Sequence, residues 1–125
     1  MLDCMTKYVY PASEAKEVFK HGINLTLYGP VGGDVDLKRV ETEEGHFEEF
    51  TNTSWFIYNI LEGKGVFVLN DEQVPVQTGD VVSVPPDTRI HYFGKLSMLL
   101  IVTPPWQAEN ETHIRNVDPS ENPLK

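Results

Sequence analysis

The chain has 125 residues, with 10 Lys and Arg against 19 Asp and Glu and a formal charge of −9. That length suits one domain with its own apolar core, and the negative field argues against a nucleic-acid or anionic-membrane partner. The single cysteine, Cys4, excludes an internal disulfide and a cysteine-built zinc cage.

No apolar run approaches the ~20 residues of a membrane span. Asp3 and Lys7 interrupt any apolar leader, so a cytoplasmic location is expected. Residues Ser13 to Lys20 carry the best helical signal, with Ser13 as a cap, Ala15, Val18 and Phe19 on one face and Gly22 as the stop. The period then changes to two. Ile23, Leu25 and Leu27 alternate with polar neighbours, and Gly29-Pro30 and Gly32-Gly33 break that strand. Val35 and Leu37 begin another, whose phase slips at Arg39-Val40 as a bulge would make it do. Glu41 to Gly45 reads as a polar loop, and the carboxylates Glu43, Glu44, Glu48 and Glu49 as a solvated acidic face.

Trp55 to Leu61 is rich in aromatic and β-branched residues and predicts a strand; Glu62-Gly63-Lys64-Gly65 predicts a turn, and Val66 to Leu69 the returning strand. Pro75, between Val74 and Val76, lacks a ladder donor and so marks an edge position or one whose N–H would face solvent. Strands follow at Val81 to Val84, Arg89 to Phe93 and Leu96 to Thr103, separated by Pro85-Pro86-Asp87 and Gly94-Lys95. Short strands with turn signals at this spacing predict an all-β sandwich or barrel. Beyond Pro104 the chain is polar except for Trp106, which is expected to pack on the barrel or on a partner.

Two segments carry a family resemblance. Ile60-Leu61-Glu62-Gly63-Lys64-Gly65 is similar to the end of the first cupin motif, and the run from Gly79-Asp80 to Pro85-Pro86-Asp87 is similar to the start of the second. With a hairpin between them, they resemble the small single-domain members of the cupin superfamily. The resemblance implies a cupin-type double-stranded β-helix, a jelly-roll barrel, over residues 22–104. Residues 1–21 would form an extension with a short helix or strand, and residues 105–125 a polar segment and tail. Small cupins are commonly dimers and an open sheet has edges to cover, so a homodimer is expected.

Metal-binding cupins hold a divalent ion with two His and a Glu from the first motif and a His from the second. Aligning this chain on the family's motifs puts Glu49, Thr51, Phe56 and Ile90 at those positions. By that transfer the metal site is missing, and no cofactor is expected. A divalent metal stays open only through a rebuilt site of His46, Glu49 and His91. One residue past the ligand position, His91 should face outward.

If the alternation holds, Phe56, Tyr58 and Ile60 face inward from one strand and Ile90 and Tyr92 from another. Together with His46 and with Arg89 at the mouth, these residues form the candidate pocket, an apolar lining with phenol groups as polar handles. Three readings remain: a metal-free barrel binding a small organic or sugar-like molecule, a metal-dependent isomerase or dioxygenase using the rebuilt site, and a filled barrel serving as a dimeric interaction protein.

Overall fold

The computed structural model describes residues 8–124; Asp3, Cys4 and Lys7 lie outside them. Among the described residues the architecture is all-β. The nine strands are β1 (Lys16–Lys20), β2 (Ile23–Gly32), β3 (Val35–Thr42), β4 (Gly45–Asn52), β5 (Trp55–Leu69), β6 (Glu72–Gln77), β7 (Val81–Val84), β8 (Ile90–Thr103) and β9 (Glu111–Asn116). The only helical pieces described are single 3-10 turns at Ala12–Glu14, Ala108–Asn110 and Pro119–Glu121. Among the described residues no helix is long and apolar enough to cross a membrane.

All pairings are antiparallel. One path runs β1-β2-β3-β8-β4-β9, while β5 pairs with β8, β6 and β7, so the sheet curls into the jelly-roll barrel. Period-two alternation supplies its interior. Phe56, Tyr58, Ile60, Ile90 and Tyr92 are all buried in one core cluster with Val40, Phe67, Met98 and Val102. Pro75 lies on β6, which pairs only with β5 through this segment, as an edge strand requires.

Several local expectations are corrected. The helical signal from Ser13 to Lys20 survives only as the single 3-10 turn Ala12–Glu14; from Lys16 to Lys20 the chain is strand β1, paired over its whole length with β2, from Lys16↔Leu27 to Lys20↔Ile23. Two turns of isolated helix are marginal in water, whereas the ladder also covers an edge of β2. The irregularity expected at Arg39-Val40 falls instead on β2, between Leu27 and Gly29 and between Pro30 and Gly32. Gly29 and Gly32 there adopt positive φ, 83° and 114°, which a bulge can use. The presumed loop up to Gly45 narrows to Glu43-Glu44, and residues from Gly45 to Asn52 form strand β4.

The glycines at 63, 65 and 94 do not reverse the chain. Strand β5 runs through Gly63 and Gly65, and β8 runs through Gly94, with Gly65 opposite Gly94. These glycines let two backbones approach where the long ribbon bends. A Cβ on Gly65 would sit 2.1 Å from the Phe93 carbonyl oxygen. Gly65→Ala is therefore expected to cost about 3 kcal/mol, within the range for overpacking a tight site. Urea unfolding that shows less than half this loss would mean the ribbon relaxes freely.

Candidate functional site

One end of the barrel interior gathers side chains from most of the strands, Ile23 and Leu25 of β2 among them. Lys20 comes from β1, Lys38 from β3, His46 from β4, Phe56 and Tyr58 from β5 and Tyr92 from β8, with Trp106 from the segment after β8 and Glu111 from the start of β9. The space left among them is about 30 Å3, room for a water or two. The aromatic rings account for most of the filling. His46 lies 5.3 Å from Phe50 and 5.4 Å from Tyr92, centroid to centroid, and Tyr58 packs edge-on to Tyr92 at 5.9 Å.

The mouth is polar and tied together. Trp106 donates its indole N–H to Glu111 at 2.9 Å and its backbone N–H to Asp36 at 3.3 Å. The Lys38 ammonium stands 4.7 Å from the centre of the Trp106 ring, with Lys20 at 5.9 Å. Both positions suit a cation–π contact. Lys38 is only 8% exposed, and its burial lowers its pKa against the opposing pull of Asp36 and Glu111.

His46 is buried, and neither ring nitrogen has a hydrogen-bond partner. Its Nε2 stands 3.6 Å from Glu48 Oε1. Burial pulls the imidazole below its ordinary pKa, with Glu48 opposing. Glu48 is in turn pulled down to about 2, first by His46 and, against the cost of burial, by His113. Burial raises the pKa of both Tyr58 and Tyr92. At neutral pH the interior thus offers an unprotonated imidazole beside two protonated phenols.

Of the residues expected from sequence, His46, Phe56, Tyr58 and Tyr92 line this space. Ile60 and Ile90 share its core cluster but do not line it. Arg89 does not face the pocket: it holds Asp71 with two hydrogen bonds, 3.1 and 2.7 Å, and reaches Glu49 at 3.7 Å. The trio His46, Glu49 and His91 is divided between two places. His46 faces Glu48 inside the barrel, whereas Glu49 and His91 meet at 3.3 Å on the outward side, with Arg115 on the same carboxylate. Adjacent strand residues point to opposite faces, which separates Glu48 from Glu49. Among the described residues no group of three His, Cys, Asp or Glu is placed to hold a metal ion.

Glu48 and Glu49 are not a solvated face: they are 7% and 1% exposed on β4. Lys20, Lys38, Glu48, Glu111 and the histidines at 21 and 113 were not anticipated as a group. The one signal in the sequence is the i, i+2 spacing of His46 and Glu48, which puts both on one strand face.

No protein-family model matches the chain. An uncharacterized protein of Methanocaldococcus jannaschii is 39% identical over 62 residues, which are 46% of this chain; the chain spans about half the length of that curated relative. Among solved structures the chain is similar to Pac13, described as a unique nucleoside dehydratase. The two share 46% identity, with 94% of this chain and 99% of that one covered, at a TM-score of 0.90. Streptomyces PAC13 is also known with uridine in three variants, two replacing a tyrosine by phenylalanine and one a histidine by glutamine. KdgF from Halomonas, at 14% identity and a TM-score of 0.68 over 83% of this chain and 98% of that one, shares the fold. The chain belongs to the family of small cupin barrels that includes Pac13.

Proposed function

We propose that this chain binds a nucleoside at the His46 end of the barrel and eliminates water from it. The observation that carries the reading is the buried imidazole with a free nitrogen, set beside two phenols and near a lysine. One histidine and two tyrosines are also the residue types replaced in the relative's uridine structures.

The chemistry follows from these groups. The neutral His46 accepts a proton from a carbon acidified by a neighbouring electron-withdrawing group. The electron pair left on that carbon forms the new C=C bond as the adjacent C–O bond breaks. The departing hydroxyl takes a proton, from the imidazolium or a tyrosine hydroxyl, and leaves as water. Negative charge that develops on the substrate is met by Lys38 and by the Tyr58 and Tyr92 hydroxyls, in a site dry enough for such contacts to be strong. Trp106 supplies a flat apolar surface for a pyrimidine ring.

The test is a uridine titration followed by tryptophan fluorescence in a Trp55→Phe background, which leaves Trp106 as the reporter. Binding should alter the Trp106 emission. Uridine at a hundred times its Kd should stabilise the fold by about 2.7 kcal/mol. Incubation with a panel of nucleosides, including ones oxidised on the sugar, should give a product lighter by one water in mass spectrometry. The small free volume favours a second reading, a filled barrel with no ligand, and a flat uridine titration would establish that one instead.

A further inference from the structure

We propose that Glu48 is the positioning residue for His46, oriented in its turn by His113 and His21, so that His46 keeps its proton on Nε2 and presents Nδ1 as the base. The inference deepens the elimination reading above and rests on it for its catalytic arm only.

Three imidazoles converge on the one carboxylate. Glu48 Oε1 lies 3.6 Å from His46 Nε2 and 3.7 Å from His21 Nε2, and Oε2 lies 2.8 Å from His113 Nδ1. They come from separate segments: His46 from the same strand, His21 from the β1–β2 turn and His113 from β9. The turn itself is pinned to β4, since Phe47 donates its backbone N–H to the His21 carbonyl at 2.8 Å. Other groups facing this cluster are Lys20, from the end of β1, and Tyr92, from β8, whose ring packs on His46. Glu49 turns the other way, toward Arg115 and His91.

A carboxylate only accepts hydrogen bonds, so it selects the tautomer that puts the proton on the nitrogen facing it. At 3.6 Å the Nε2 contact is just beyond hydrogen-bond length. It can shorten into a charge-assisted bond once His46 takes a proton at Nδ1. Glu48 thereby stabilises the imidazolium without touching substrate. His113, half exposed, and His21 keep the carboxylate from rotating away.

The experiment compares the wild-type chain with Glu48→Gln, His113→Leu and His113→Asn. Nitrogen-15 NMR of the imidazoles reads tautomer and protonation midpoint whether or not any substrate turns over. Wild type should show His46 with its proton on Nε2. In Glu48→Gln the His46 midpoint should fall by roughly one pH unit, because an opposite charge nearby is lost. The tautomers should then mix. With a substrate in hand, kcat should drop about a hundredfold at little change in KM, and the acid limb of the pH profile should move to lower pH.

His113→Leu should mix the tautomers in the same direction. His113→Asn, which returns a donor near the Nδ1 position, should restore them, and this pair decides the matter if Glu48→Gln fails to fold. A His46 tautomer and midpoint unchanged in Glu48→Gln, or in His113→Leu where Glu48→Gln does not fold, would overturn the proposal even if the chain dehydrates nucleosides. The expected NMR changes with no turnover on any nucleoside would sink the elimination reading and leave the positioning role standing.

Discussion

His46→Gln should slow nucleoside elimination by roughly 10³-fold, the usual reach of a positioned general base, while uridine affinity stays within about threefold of wild type. Glutamine fills much of the imidazole's volume against Phe50 and Tyr92 and keeps a polar end, but it cannot take a proton at neutral pH. Stopped enzyme assays and uridine titrations on the same preparation give both quantities. A loss of affinity as large as the loss of rate would make His46 a binding group. The pH dependence has a definite sign. Burial lowers the His46 pKa, so wild-type activity should persist below the ordinary histidine value and fade only as the pH drops through the lowered one.

The second large effect concerns stability. Glu49 is 1% exposed and holds His91 at 3.3 Å, Arg115 at 3.3 Å and Arg89 at 3.7 Å. Glu49→Leu should cost about 3 kcal/mol, at the lower end for breaking a buried ion pair. The two arginines can fall back on Asp71 and Glu121, at 2.7 and 3.0 Å; the buried His91 Nδ1, which stands 3.3 Å from Glu49 Oε2 outside hydrogen-bond geometry, would lose its nearby charge with nothing to replace it. Adding His91→Phe should recover most of the loss, since removing both polar partners leaves nothing unsatisfied. Urea unfolding of the two single variants and the double variant measures the coupling. Additive losses would mean that Glu49 acts through its arginines alone.

The barrel was legible in the sequence where side chains alternate without interruption. Phe56, Tyr58, Ile60, Ile90 and Tyr92 follow the period of two, and their burial follows the same period. Strand β4 was hidden because His46-Phe47-Glu48-Glu49-Phe50 puts carboxylates where strands seldom have them. Acidic side chains are buried only when partnered. Here the partners His113 and Arg115 lie 65 and 66 residues away from Glu48 and Glu49, a proximity no local pattern reports. The glycines at 63, 65 and 94 misled for a related reason. Their job is to let one strand bend against another, and that neighbour is not visible in the local sequence.

The packing around Trp106 has a consequence for timing. This end of the interior has room for a water or two, and the indole is held by Glu111 and Asp36 while two lysines sit over its face. On the proposed function, room for a nucleoside has to be made here, and a swing of this ring would make capture a gated event rather than a simple collision. Its association rate constant should fall below the roughly 10⁵–10⁷ M⁻¹s⁻¹ typical of open docking. At high ligand concentration the observed rate should level off at the opening rate of the indole. Trp106→Ala would remove that plateau, trading slow entry for fast escape.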